Sequence, residues 1–182
     1  MNTELIREAA NHLNIEAVNL CANSVALDPN FNPRMDQGEI GLSLEWGTRR
    51  TVLAKMQRVG TEEFDLVWHV WFRGVARLYR GEVKEEASER PAPLAEISAD
   101  FLLQYSFRDD WTPNPEALHE FSIHNVPIHV WPYWREWVNN VTMRIGLPSV
   151  ILSMHMLPPS KDVPFSQVTV EKALEEERPG AE

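Results

Sequence analysis

Apolar residues recur along this chain with two periods. From residue 3 to 13, Leu5, Ile6, Ala9, Ala10 and Leu13 fall on one stripe, with Glu4, Arg7, Glu8 and Asn11 opposite, which predicts a short amphipathic helix. Residues 15–27 read as an extended strand of mixed character, stopped by Asp28-Pro29-Asn30. The stretch from Asp28 to Gly38 reads as a loop with two apolar anchors, Phe31 and Met35. Strict alternation begins at Ile40: Ile40, Leu42, Leu44 and Trp46 share one face, and Glu39, Gly41, Ser43 and Glu45 the other. A basic turn around Gly47, Arg49 and Arg50 is expected next, then a short extended run to about Gln57. Residues 63–75 alternate again, with Phe64, Leu66, Trp68, Val70 and Phe72 on one face. The other face carries Asp65, Val67, His69, Trp71 and Arg73. After a charged loop from Gly81 to Pro93 comes the longest alternation, with Ala95, Ile97, Ala99, Phe101, Leu103, Tyr105 and Phe107 inward.

Four alternating strands with polar connections predict an antiparallel sheet with one wet face. Strands and helices do not alternate as a doubly wound fold requires, so the predicted class is α+β. The second half changes character. A short helical turn is expected after Pro115, and then Pro132 opens a long helix at its first position. Its expected stripe is Val130, Trp134, Trp137, Val141 and Ile145, widened by Tyr133 and Val138, and Gly146 with Pro148 stops it. That helix should lie across the apolar face of the sheet, followed by an extended apolar run from Val150 to Leu157. Residues 158–182 are rich in Pro and Glu and read as a solvated tail with helix-forming residues from Val170 to Glu177. The expected organisation is one domain over 1–157, with its N-terminal helix in 1–14, and the tail over 158–182.

Charge narrows the function. A net charge of −10 and a pI near 5.1 disfavour nucleic acid and anionic membranes, because phosphate binding needs Lys and Arg gathered on one face. The single cysteine, Cys21, excludes an internal disulfide and fits a reducing compartment. The first residues lack a basic stretch leading into an apolar one, and no window approaches the roughly 20 apolar residues of a membrane span. A cytoplasmic protein without membrane insertion is expected. Seven Trp, seven Phe and six Met are many for 182 residues; most should fill the core, and some should line an adaptable apolar groove.

Catalytic patterns do not emerge. His119, His124 and His129 recur every fifth residue, which gathers them on one face of neither a helix nor a strand, so no metal is assigned. Cys21 has no neighbouring His or Lys to activate it. No nucleophile elbow, Walker loop or dinucleotide fingerprint is present. The expectation is a protein that is not an enzyme and needs no cofactor.

The segment Val130-Trp131-Pro132-Tyr133-Trp134-Arg135-Glu136-Trp137-Val138, followed by Met143-Arg144-Ile145-Gly146-Leu147-Pro148, resembles the SecB family of export chaperones. In that family an apolar residue precedes a Pro-Tyr-x-Arg-Glu helix start, and the helix ends in an Arg-Gly-x-Phe/Leu-Pro turn. Here Ile145 separates Arg144 from Gly146. The resemblance covers residues 130–157 as a motif and 15–157 as an order of elements: four strands, a crossover loop after the first, then a long helix. Export members continue into an Asn-Phe-x-x-Leu segment that starts a second helix, whereas this chain continues Met154-His155-Met156-Leu157-Pro158-Pro159. That departure and the N-terminal helix look more like the SecB-like chaperones of toxin–antitoxin–chaperone modules, some of which act in phage defence.

The resemblance implies a holdase built as a homo-tetramer, a dimer of dimers, binding unfolded or aggregation-prone polypeptide in apolar grooves. The implied client is an antitoxin, alone or in complex with its toxin. The candidate polypeptide-binding residues are Phe31, Met35, Leu42, Leu44 and Trp46, with Trp131, Trp134, Ile151, Met154 and Met156. Each has a competing reading as core or tetramer packing. A general export chaperone delivering precursors to the Sec translocase motor is the second reading. A small ligand-binding or enzymatic domain, supported only by the histidines, is the third.

Overall fold

The computed structural model describes residues 1–34, 38–57, 60, 62–81, 91–108 and 111–153. Seven elements follow in order: α1 (Thr3–His12), β1 (Leu13–Leu27), β2 (Ile40–Gln57), β3 (Phe64–Arg80), β4 (Ala95–Phe107), α2 (Pro115–His124) and α3 (Val126–Arg144). The strands form one antiparallel sheet in the order β1-β4-β3-β2, so β1 and β2 are its edges. The class is α+β, as the alternation predicts.

One face of the sheet carries the core. Trp68, Val70, Phe72, Ala76 and Leu78 of β3 and Ile97, Ala99, Phe101, Leu103 and Tyr105 of β4 are buried there. They pack against Val130, Trp134 and Val138 of α3. Removing this apolar area from water is the main favourable term in folding. The opposite face is held by charge. The Arg77 guanidinium lies 2.7 Å from Glu45 on β2 and 2.6 Å from Glu96 on β4, and Arg73 lies 3.7 Å from Asp100.

The strand phases are set by bulges. In β1, Glu16 and Cys21 are each an extra residue against β4, so the core-facing set runs Leu13, Ile15, then Val18, Leu20, then Asn23, Val25, Leu27. In β2, Arg49 is the extra residue, and the core-facing set passes from Trp46 and Thr48 to Thr51 and Leu53. The turn expected at Gly47 to Arg50 is therefore a bulge inside one continuous strand. Phe64, expected inward, is exposed because β3 pairs with β4 only from Val67 onward.

Two helical expectations also change. Asn114 caps α2 by accepting from Glu116 N at 3.0 Å, and this is a ten-residue helix rather than a single turn. After Asn125, α3 starts at Val126, six residues before Pro132, with Pro127 in its first turn. Pro132 sits inside the helix, where it withholds a donor from the carbonyl four residues earlier. Val138 widens the buried stripe as expected, but Tyr133 is 47% exposed, and Trp131 is buried beside the stripe instead. The C-terminus of α3 behaves as predicted. Leu147 N–H reaches the Thr142 carbonyl at 3.0 Å and Gly146 N–H the Met143 carbonyl at 3.4 Å, with Gly146 at φ 81° and Leu147 buried. This paired closure needs a left-handed residue at Gly146.

The N-terminal helix forms where the pattern placed it. Asn2 caps it by accepting from Glu4 and Leu5 N–H, and its own N–H donates to Glu120 of α2 at 2.7 Å. His12 at its other end stacks on Trp111 at 5.0 Å, so α1 is fastened along α2 and its approach.

Candidate functional site

The segment after β1 is anchored before it crosses to β2. Asp28 N–H donates to the Leu94 carbonyl at 2.9 Å, and the Asp28 carboxylate accepts from Asn30 N–H at 2.9 Å and from Arg80 at 2.9 Å. The Asn30 backbone donor, and then Arg80, hold that carboxyl below its ordinary range. Phe31 N–H closes the turn onto the Asp28 carbonyl at 2.9 Å, leaving the Phe31 ring half-buried against the core. Two residues on, Pro33 abuts Gly146 at the end of α3: a Cβ on Gly146 would lie 3.0 Å from the proline ring.

The chain beyond Gly146 turns back along α3. Val150 N–H donates to Thr142 Oγ1 at 3.3 Å, and Trp131 Nε1–H donates to the Ser153 carbonyl at 2.8 Å. Leu152 is thereby buried, while Ile151 points outward, 66% exposed. Trp131 also meets Trp46 of β2 edge-on, with centroids 6.0 Å apart, and Trp46 stacks on Phe72 at 6.1 Å. Through these contacts the crossover, the α3 terminus, residues 147–153 and the first half of β2 form one neighbourhood. Leu42 (36% exposed) and Leu44 (half-buried) lie on the same side of β2 as Trp46, opposite Leu78 and Ala76.

The ten candidate residues therefore divide. Trp46, Trp131 and Trp134 are buried. Trp134 is fully buried under Gly74 of β3, a core position, while Trp46 and Trp131 are buried against each other. Phe31 and Leu44 are half-buried, and Leu42 and Ile151 are exposed. Met35, Met154 and Met156 lie outside the described residues, as do the charged loop 82–90 and the tail.

A second apolar surface was not foreseen. Four apolar core-side residues of edge strand β1 are open: Ile15 is 41% exposed, Leu20 42%, Val25 40% and Leu27 40%. Between β1 and α3 runs a groove of about 390 Å³, lined by Val18, Leu20, Phe101, Val141, Tyr133 and Trp137 together with the polar Glu136, Asn140 and Arg144. The double bulge in β1 hid this stripe from a period-two search.

The histidines disperse. His129 Nδ1 lies 2.8 Å from the Tyr105 hydroxyl, and His124 lies 3.6 Å from Glu120. Burial lowers the His129 pKa and raises that of the Tyr105 phenol. Among the described residues no three His, Cys, Asp or Glu side chains are grouped to hold a metal ion. No helix among them is long and apolar enough to cross a membrane.

No protein-family model matches the chain, and no curated protein sequence matches it. The fold does match a solved structure: Mycobacterium tuberculosis Rv1957, a SecB-like chaperone in complex with a ChAD peptide from the Rv1956 HigA1 antitoxin. The TM-score is 0.60 at 18% identity, over 83% of this chain and 96% of that one. The fold is SecB-like. Within this SecB-like fold, the sequence motif lies on α3 and its Gly146 closure, and the crossover lies on the Phe31 segment.

Proposed function

We propose that this chain is a holdase that binds extended, apolar segments of unfolded polypeptide across the surface formed by Phe31, Leu42, Leu44 and Ile151 beside the buried Trp46–Trp131 pair. Its client is the aggregation-prone part of an antitoxin, held in the cytoplasm away from proteolysis so that the toxin stays neutralised. The observation that carries this reading is the likeness in fold to a SecB-like chaperone solved with an antitoxin peptide. The open apolar surface supports it from within the chain, since water-exposed Leu and Ile beside a strand edge fit a binding surface. Burying one such anchor contributes about 1.5–3 kcal/mol, so three or four, less the ordering of the client, reach roughly micromolar affinity. Met35, Met154 and Met156 are proposed to extend the same surface with adaptable side chains.

The active form is proposed to be a tetramer. Fifteen-residue β1 has an edge unpaired among the described residues, a single charged residue, Glu16, and the open stripe Ile15, Leu20, Val25 and Leu27. An edge of this length with so little charge is a template for another strand. The other edge, β2, carries Glu45, Arg49, Arg50 and Lys55 and is poorly suited to self-pairing. Continuation of the β1 edge into the β1–α3 groove makes this the face for a second copy.

Co-expression with an antitoxin that carries an aggregation-prone apolar extension tests the reading. The antitoxin should stay soluble and co-purify with an assembly of several chains; an antitoxin that precipitates regardless would contradict it.

A further inference from the structure

The chain leaves the described structure from inside the proposed client surface. Ser153 is held by Trp131 Nε1 at 2.8 Å, next to buried Leu152 and exposed Ile151, and 29 residues follow it. Their sequence is not uniformly acidic. Residues 163–170, Val-Pro-Phe-Ser-Gln-Val-Thr-Val, contain no charge and four β-branched residues around Phe165. They are bracketed by Lys161-Asp162 and Glu171-Lys172, with Glu175-Glu176-Glu177 beyond. Such a segment is uncharged, rich in residues that favour extended chain, and flanked by solubilising charge, which suits it to an apolar surface that takes extended polypeptide.

We infer that residues 163–170 occupy the surface around Leu42 and Ile151 of their own chain as an internal competitor to clients. The inference rests on reading that surface as the client site. The tether decides the energetics. Nine residues, 154–162, separate Ser153 from the segment, and extended they span about 30 Å, ample to reach any part of a surface that Ser153 adjoins. A tether of this length gives an effective concentration on the order of 1 mM. A segment that would bind at roughly 0.1 mM as a free peptide would then fill the surface most of the time and weaken client binding about tenfold. Clients with several strong anchors would displace it, whereas casual apolar contacts, including those of other chaperone molecules, would not. A protein with exposed Leu42 and Ile151 thereby gains both solubility and selectivity.

The test uses the full-length chain with a photoreactive benzoylphenylalanine at position 42. After irradiation and trypsin digestion, the cross-link should fall on the peptide 162–172, cut out at Lys161 and Lys172, in a species of monomer mass on a denaturing gel. A triple variant, Phe165→Asp, Val168→Asp and Val170→Asp, should lose this cross-link. It should also bind a permanently unfolded probe, reduced and alkylated α-lactalbumin, about tenfold more tightly than the parent. No cross-link to 162–172, one at dimer mass, or equal probe affinity in parent and triple variant would overturn the inference. If the cross-link forms and neither protein binds the probe, tail docking stands and the client reading of the surface falls.

Discussion

Gly74 and Trp134 are fitted to each other: a Cβ built on Gly74 would lie 2.7 Å from Cε2 of the Trp134 indole. That ring is fully buried where α3 meets β3. The contact sets the depth of the helix on the sheet, and through Trp131, three residues earlier on α3, the edge-on meeting of Trp131 with Trp46.

Gly74→Ala should therefore destabilise the fold by about 1–3 kcal/mol, the cost of overpacking a closed core. Trp134→Leu should cost a similar or larger amount by leaving a cavity. The two should compensate: in the Trp134→Leu background the added methyl should cost less than in the parent. Chemical denaturation of the four proteins measures this coupling, and strict additivity would show that the two residues do not share the space.

Ile151→Asp should leave the melting temperature nearly unchanged, because that side chain is 66% exposed, whereas Leu42→Asp should cost about 1 kcal/mol or more, because Leu42 is only 36% exposed. Each should weaken client binding about tenfold or more by removing one apolar anchor and adding a charge that must be desolvated. Trp46→Ala should do the opposite in balance, with a loss of stability of about 3–5 kcal/mol. Calorimetry of folding beside titration with an unfolded client separates the two classes. Equal stability losses in all three would make the open residues structural.

Leu20→Lys combined with Val25→Lys should break assembly without unfolding the subunit, because a charged edge strand repels its copy. Light scattering should find the parent near four times 21.0 kDa and the variant lighter. A parent of monomer mass would remove the proposed role of the β1 edge.

Stability should fall as pH falls below the ordinary imidazole value of 6.5. Burial lowers the pKa of both His129 and His69 in the folded chain, so in that window the unfolded chain takes up protons that the folded one resists. Above the window both are neutral in either state and the effect vanishes. His129→Gln keeps a partner for the Tyr105 hydroxyl and should flatten the slope of melting temperature between about pH 7.5 and 5.5. An unchanged slope would assign the effect elsewhere.

Much of the architecture was legible because β3 and β4 keep strict alternation through the core: Trp68, Val70 and Phe72, and Ile97 to Tyr105, are buried as the pattern predicts. The edges were harder for a definite reason. Arg49 shifts the phase of β2 by one residue and imitates a turn, and Glu16 with Cys21 shifts β1 twice, so its open stripe never shows as period two. Pro132 was read as a helix start because that is where proline is best tolerated. Pro127 holds the first-turn position instead. Among the candidate residues, only packing separates buried from exposed: Trp46, Trp131 and Trp134 pattern like Leu42, yet they are buried.

The most direct measurement is light scattering from an unfolded client diluted out of denaturant, with and without this chain. The account predicts that near-stoichiometric amounts of the parent suppress aggregation and that the Leu42→Asp/Ile151→Asp double variant, assayed at a temperature where it is folded, does not. Aggregation that proceeds unchanged in a tenfold molar excess of folded parent, or equal protection by the double variant, would contradict a holdase working through this surface.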